Sequence, residues 1–230
     1  MSQLVDLLKG RDLKALLFDL DGTLIDSVPD IAAAVDQALE SCHYTPAGEA
    51  LVRHWVGNGA RKLIERALAF ALEIDEGAVD PGMADQLQSA FNHFYGAETC
   101  VYTRLYPGVV PALQYWQQQG IAMACVTNKP ERFSLPILDL LKLNQYLPVL
   151  VGGDTLPQRK PDPAPLLLAC DLLGVSAENC IMVGDSINDV QAARAANMPV
   201  ACVSYGYNHG APVASAHPDL LVDQFVDLLK

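Results

Sequence analysis

Basic residues are scarce in this chain: 15 Lys and Arg stand against 27 Asp and Glu, a net charge of −12 at neutral pH. They form no Lys/Arg cluster. A nucleic-acid-binding surface is therefore excluded, because it needs concentrated positive charge facing phosphates. Long apolar runs are missing too, since no stretch approaches the ~18 uncharged apolar residues that a membrane span requires. The opening segment Met1–Gly10 carries Asp6 and Lys9 and has neither a basic leader nor a small-residue cleavage site. It does not read as a signal peptide. Cys42, Cys100, Cys125, Cys170, Cys180 and Cys202 are scattered, with no CxxC and no zinc-like spacing. Most lie in apolar runs, as buried reduced thiols do, and a cytoplasmic location is the expectation. An anionic substrate must then be held by a few local cations or a metal, because the overall field repels it.

What the chain does have is apolar bulk: 51% of its 230 residues are hydrophobic and 18% charged, the balance of a packed globular protein. Three short apolar runs end abruptly in a polar residue. Ala15–Phe18 meets Asp19, Ile121–Val126 meets Thr127-Asn128, and Ile181–Val183 meets Gly184-Asp185. Unbroken runs of this length read as strands buried on both faces of a parallel sheet, and Val149–Val151 and Val200–Val203 read likewise. Helical patterns at Val109–Gln119, Pro163–Leu173 and Asn188–Ala196 alternate with them, the first two stopping at glycine. That alternation predicts an α/β fold, whose ligand crevice lies at the carboxyl ends of the strands. Asp19, Thr127 and Asp185 all occupy such ends.

The stretch from Leu24 to Val126 is about a hundred residues, far beyond the ~2–6 of an ordinary connection. Helical spacing recurs through it at Ile31–Cys42, Ala47–Trp55, Ala60–Leu72 and Met83–Tyr95, with no strand pattern among them. An inserted helical unit is expected, with linkers near Asp26–Val28 and Cys100–Leu105.

The chemistry concentrates first in Asp19-Leu20-Asp21-Gly22-Thr23. A turn at Gly22 splays two carboxylates around one point, one to attack and one to exchange a proton; carboxylates are covalent nucleophiles in phosphoryl transfer. Alone, the same residues also read as a strand-end Asp-Gly turn. Three further segments follow in order: Thr127 with Asn128, Lys160 within Arg159–Pro163, and Gly184-Asp185-Ser186-Ile187-Asn188-Asp189. Together the four resemble the motifs of the haloacid dehalogenase-like hydrolase superfamily, and the resemblance runs from Leu16 to Leu229.

That resemblance implies a Rossmann-like parallel-sheet core, residues 1–26 and 103–230, carrying an inserted α-helical cap, residues 27–102. It implies Asp19 as the nucleophile forming an aspartyl-phosphate and Asp21 as the acid and base for the leaving alcohol and the water. Mg²⁺ is the implied cofactor, bound by Asp19, by Asp21 through its backbone carbonyl, and by Asp185. Lys160 supplies a second positive charge. Thr127 and backbone N–H groups around Gly22 and Thr23 are expected on the phosphoryl oxygens. Asp189 stands behind the metal ligands or joins them, and its place also suits a helix's first turn. Ser186 and Asn188 read as loop-shaping, and Asp26 as a hinge or turn residue.

Asp21 also separates the chain from members that cleave carbon–halogen bonds, which need no acid for an alkoxide and generally lack this residue. Phosphatase or phosphomutase chemistry remains. Trp55–Ala60, Thr127–Pro130 and Ser204–Asn208 resemble the corresponding stretches of bacterial phosphoglycolate phosphatases, a branch of the family. Gly57, Asn58 and Gly59 precede a helical run, so their N–H groups could receive a substrate carboxylate, with Arg53 and Arg61 alongside; equally, the glycines make an interhelical turn. Asn128 and Lys129 are expected at the substrate, although Lys129 reads as a surface lysine just as well. Trp55 and Trp116 read as packing residues, and His54, His93 and His209 have no metal-like partners.

The expected partner is a small anionic phosphate ester, with no nucleic acid and no membrane, in a monomer or a homodimer. Hydrolysis of another small metabolite, a β-phosphoglucomutase-like transfer and a catalytically silent binding module are the alternative readings.

Overall fold

Ala15–Phe18 are wholly buried, yet alternate residues belong to different cores. Leu16 and Phe18 pack with Trp116, Ile137 and Phe225, whereas Ala15 and Leu17 pack with Leu166, Ala169 and Val190. Side chains alternate across a strand, so a strand with no polar position needs cover on both faces. The computed structural model, which describes residues 3–230 apart from the His209 side chain, has that arrangement.

In chain order the elements are α1 (Gln3–Asp6), β1 (Ala15–Phe18), β2 (Ile25–Asp26), α2 (Val28–Ser41), α3 (Glu49–Trp55), α4 (Ala60–Leu72) and α5 (Pro81–Ala97). There follow β3 (Arg104–Leu105), α6 (Val109–Gln118), β4 (Ala122–Val126), α7 (Glu131–Leu140), β5 (Val149–Val151), α8 (Ala164–Leu173), β6 (Cys180–Gly184), α9 (Ile187–Ala195), β7 (Val200–Val203) and β8 (Leu220–Val222). Six strands form a parallel sheet in the order β5-β4-β1-β6-β7-β8. Helices α6 and α7 cover one face, α8 and α9 the other. The fold is α/β and Rossmann-like.

The sheet order turns back at β1, which lies between β4 and β6. Phe18 is level with Cys125 on one side and Val183 on the other, so the loops after these three strands open at one place. That is the topological switch point where doubly wound sheets bind ligands.

The chain leaves the sheet after β1 and returns before α6. Helices α2 to α5 pack around Val35, Leu39, Ile64, Leu68, Leu87 and Phe91, a third core that Phe133 and Tyr207 join from the sheet side. Where the chain crosses out and back, β2 and β3 pair antiparallel, Ile25 opposite Leu105 and Asp26 opposite Arg104. The ribbon falls at the linkers expected near Asp26–Val28 and Cys100–Leu105, where the sequence shows no strand, because two residues are too few to show a period of two. The sequence reading likewise has no counterpart for α7 or β8. Pro136 inside α7 ordinarily breaks a helical pattern, and β8 is three residues long with Leu221 half-exposed. Among the described residues, no helix is long and apolar enough to cross a membrane.

Candidate active site

Asp19 begins the loop after β1, its backbone N–H bonded to the Val183 carbonyl of β6 at 2.9 Å. The Lys160 ammonium lies 2.9 Å from Asp19 Oδ1 and 2.7 Å from Asp189 Oδ1. It also donates to the Val126 carbonyl at 2.7 Å, which ties this loop to the end of β4. Asp189 opens α9, where its Oδ2 accepts the Ser186 N–H at 3.0 Å and the Ser186 hydroxyl at 2.7 Å in a capping box. Both of its oxygens are thus engaged. Asp185 Oδ1 accepts the Thr23 hydroxyl at 3.0 Å, and its Oδ2 accepts the Tyr207 N–H at 2.7 Å.

Three carboxylates in this pocket face one ammonium, and the imbalance shows in their protonation. Burial pushes the Asp19 carboxyl up to about 7; Lys160 pulls it down and Asp189 pushes it up. Burial, then the charges of Asp189 and Asp19, raise Asp185 well above the usual carboxylate range. Burial alone would lower Lys160, but Asp189 and Asp19 hold it above its ordinary value, so it stays a cation. Carboxylate oxygens of Asp19, Asp185 and Asp189 lie within 4.8 Å of one another. Excess buried negative charge of this kind suits a hard divalent cation. Asp189 meets the Lys160 ammonium and the Ser186 cap with its two oxygens, whereas Asp185 accepts only from the neutral Thr23 hydroxyl and Tyr207 N–H and Asp19 meets Lys160 through Oδ1, so Asp19 Oδ2 and Asp185 keep lone pairs to offer it. The Asp21 carboxylate lies outside this cluster.

Asp21 instead accepts the Ser27 hydroxyl and faces Lys129, whose ammonium is 3.1 Å from both carboxylate oxygens. Lys129 is buried, so its reading as a surface lysine is set aside. Its ammonium also sits over the Tyr95 ring of α5, 4.7 Å from the centroid. Thr127 Oγ1 accepts the Lys129 N–H at 3.1 Å, which leaves its own proton available for a ligand. Asn128 Nδ2 donates to the Lys160 carbonyl at 2.9 Å and so steadies the loop carrying that lysine. A cavity of about 60 Å³ lies between sheet and helices. Asp19, Asp21, Thr127, Asn128 and Lys129 line it below; Gly57, Gly59, Leu63, Phe91 and Tyr95 line it above.

Several expected contacts are not made. The Gly22 and Thr23 amides do not face a phosphoryl site: they donate to the carbonyls of Ile25 at 2.8 Å and Leu20 at 3.3 Å. The tight loop spends these donors on itself. Gly22, at φ +87°, matters for another reason, since a β-carbon there would collide with the Asp185 carboxylate. Asn58 does not line the cavity, unlike Gly57 and Gly59. Arg53 is bound to Asp26 of the ribbon and to Glu49, and Arg61 to Glu65 and Asp85, so both are turned to carboxylates of the ribbon and the helical insert.

Other residues matter more than their sequence positions suggested. Asn188 Nδ2 donates to the Gly57 carbonyl at 3.2 Å, a link from the sheet loops to the cap. Tyr207 bonds Asp185 through its backbone, while its hydroxyl donates to Asp26 at 2.7 Å and accepts the Ser27 N–H at 3.0 Å. Ser27 and Tyr95 carry no sequence signal of their own. Tyr207 at least lies within the Ser204–Asn208 stretch.

Comparison with known proteins places this arrangement. The family model described as haloacid dehalogenase-like hydrolase matches residues 13–197. A phosphoglycolate phosphatase of Pseudomonas putida is 48% identical over 229 residues, covering 100% of this chain and 83% of that protein. Phosphoglycolate phosphatase 1 of Pseudomonas aeruginosa is 48% identical over 216 residues, 94% of this chain and 78% of that protein. Among solved structures, a predicted phosphoglycolate phosphatase from Haemophilus somnus has a TM-score of 0.88 at 37% identity, covering 96% of this chain and 98% of that one. With its parallel sheet, its helical insert after β1 and its buried aspartates facing Lys160, the chain belongs to the haloacid dehalogenase-like hydrolases.

Proposed function

We propose that this hydrolase cleaves 2-phosphoglycolate to glycolate and inorganic phosphate, with Asp19 as nucleophile and Mg²⁺ as cofactor. The observation that carries the reading is the division of labour between two carboxylates. Asp19 lies against Lys160 in the cluster suited to a cation, while Asp21 lies apart, held by Ser27 and Lys129. One is placed to attack and the other to move a proton.

Asp19 attacks phosphorus, and the bond from phosphorus to the glycolate oxygen breaks as the acyl phosphate forms. Asp21 delivers a proton to the departing oxygen. It then takes one from the water that attacks the acyl phosphate, which frees phosphate and restores Asp19. Lys160 meets the negative charge on the phosphoryl oxygens, and the Thr127 hydroxyl donates to one of them. Asp19, Asp185 and the Asp21 backbone carbonyl would hold Mg²⁺, whose charge, when bound, lets an anionic carboxylate approach an anionic phosphate.

The relatives named phosphoglycolate phosphatase support the two-carbon acid in particular. The cap is proposed to span residues 27–102, hinged on the β2–β3 ribbon.

The test is a panel of phosphate esters offered to the purified protein with Mg²⁺, comparing kcat/KM for phosphate release. 2-Phosphoglycolate should lead glycerol phosphates, hexose phosphates and p-nitrophenyl phosphate. A sugar phosphate in front would replace this substrate assignment, and no release from any ester would point to a silent module.

A further inference from the structure

Tyr95 is a buried phenol without a use. Its side chain descends from α5 of the cap and lines the cavity over Asp21 and Lys129, at 1% exposure. Its hydroxyl is sealed from water and, among the described residues, has no partner in hydrogen-bonding geometry; the Lys129 ammonium is near enough to act on it electrostatically. The nearby Lys129 ammonium lies over the ring face and is already shared between both Asp21 oxygens. Buried hydroxyls are nearly always paired, and an orphan calls for an explanation such as an absent ligand. Packing alone does not supply one, because phenylalanine would fill the same space.

The ring is held firmly. It stacks on Phe91 at 5.3 Å between centroids and meets Phe133 edge-on at 5.0 Å. Burial pushes the phenol up to about 12, so it is protonated and able to donate at neutral pH. Asp21 marks the side of the cavity where the leaving group departs, and Tyr95 and Lys129 flank it there. The cap therefore places a fixed donor, and the core a cation, where the organic end of the substrate must lie.

We propose that the Tyr95 hydroxyl, together with Lys129, receives the carboxylate of the substrate, making Tyr95 a specificity-determining residue contributed by the cap. The proposal rests on the 2-phosphoglycolate reading and locates its recognition of the carboxylate. It assigns that recognition to the Tyr95–Lys129 corner and not to the Gly57–Gly59 loop, which brings no cation of its own.

The test uses two unreactive probes with Mg²⁺: 3-phosphonopropionate, which keeps the carboxylate, and ethylphosphonate, which lacks it. Titration calorimetry on the wild type and on Tyr95→Phe gives four affinities. Wild type should prefer 3-phosphonopropionate, and Tyr95→Phe should cut that preference roughly tenfold, the scale of one hydrogen bond to a charged group. Without ligand, the melting temperature of Tyr95→Phe should be unchanged or higher, since an unpaired buried hydroxyl has been removed.

A preference retained in Tyr95→Phe would overturn the role, as would equal losses for both probes. A lowered melting temperature in the ligand-free variant would show the hydroxyl to be structural. If the wild type itself showed no preference for the carboxylate, the substrate assignment would fall first, and this inference with it.

Discussion

At Asp19 the protein holds a carboxyl that burial would rather keep neutral. Its ordinary value of 3.8 rises to about 7 in the folded chain. Between these values the folded form keeps a proton that the unfolded form has lost, so metal-free stability falls as pH rises through that window. Asp185 is shifted in the same direction. Metal-free protein should therefore melt at a higher temperature near about pH 5 than near about pH 8, and saturating Mg²⁺ should flatten the difference by taking the proton's place. Melting curves across pH, with chelator and with Mg²⁺, check this; a flat metal-free profile would contradict it.

Gly206 makes a second case at the same scale. A β-carbon there would collide with the Asp185 side chain. Gly206→Ala should destabilise by about 1–3 kcal/mol through overpacking and weaken Mg²⁺ binding, measured by denaturant titration and calorimetry. Retention of both would mean that the Ser204–Asn208 loop yields without moving Asp185.

Among the elements, the two-residue ribbon of β2 and β3 carries more than its length suggests, because all traffic between sheet and cap passes through it. Asp30, in the first turn of α2, secures its return limb. Its carboxylate accepts the Tyr102 N–H at 2.9 Å, the Thr103 N–H at 2.7 Å and the Thr103 hydroxyl at 2.6 Å. Asp30 and Thr103 are both buried, so water does not replace a lost partner. Asp30→Ala should therefore cost about 2–4 kcal/mol and open the Cys100–Arg104 segment to limited proteolysis. Unchanged stability would show that the limb is held by the strand pairing alone. Tyr207 serves the other limb, joining Asp26 and Ser27 at the ribbon to Asp185 at the site. Hinge and proposed metal ligand thus share one residue.

For the molecule as a whole, charge works against the substrate. The net charge is −12, and the two lysines at the catalytic carboxylates, Lys129 and Lys160, are already paired with them. Encounter with a multiply charged anion should be slowed by repulsion at low salt, the reverse of electrostatic steering. Raising ionic strength from about 10 mM to about 150 mM shortens the Debye length from ~30 Å to ~8 Å. At fixed saturating Mg²⁺, kcat/KM for phosphoglycolate should rise over that range wherever binding limits the rate. A steady fall would reveal local attraction at the cleft mouth that outweighs the overall field.

The amino-acid sequence alone determined five strands of the sheet, β1 and β4 to β7, the long helices and the order of the four motifs, because these depend on local pattern. Ala15–Phe18 is apolar throughout because both sheet faces are covered, and Asp19, Thr127 and Asp185 follow directly from the ends of such runs, whereas Lys160 came with the family resemblance. Other features needed the tertiary structure, for identifiable reasons. The ribbon is too short to have a period, and α7 hides behind Pro136. The Gly22 and Thr23 amides are ordinary donors until the loop closes on its own carbonyls. Lys129 could as well have faced solvent until the fold set its ammonium between Asp21 and Tyr95, residues far from it in the chain. Which side chains share a buried space depends on contacts between distant segments, and no local pattern encodes the absence of a partner at the Tyr95 hydroxyl.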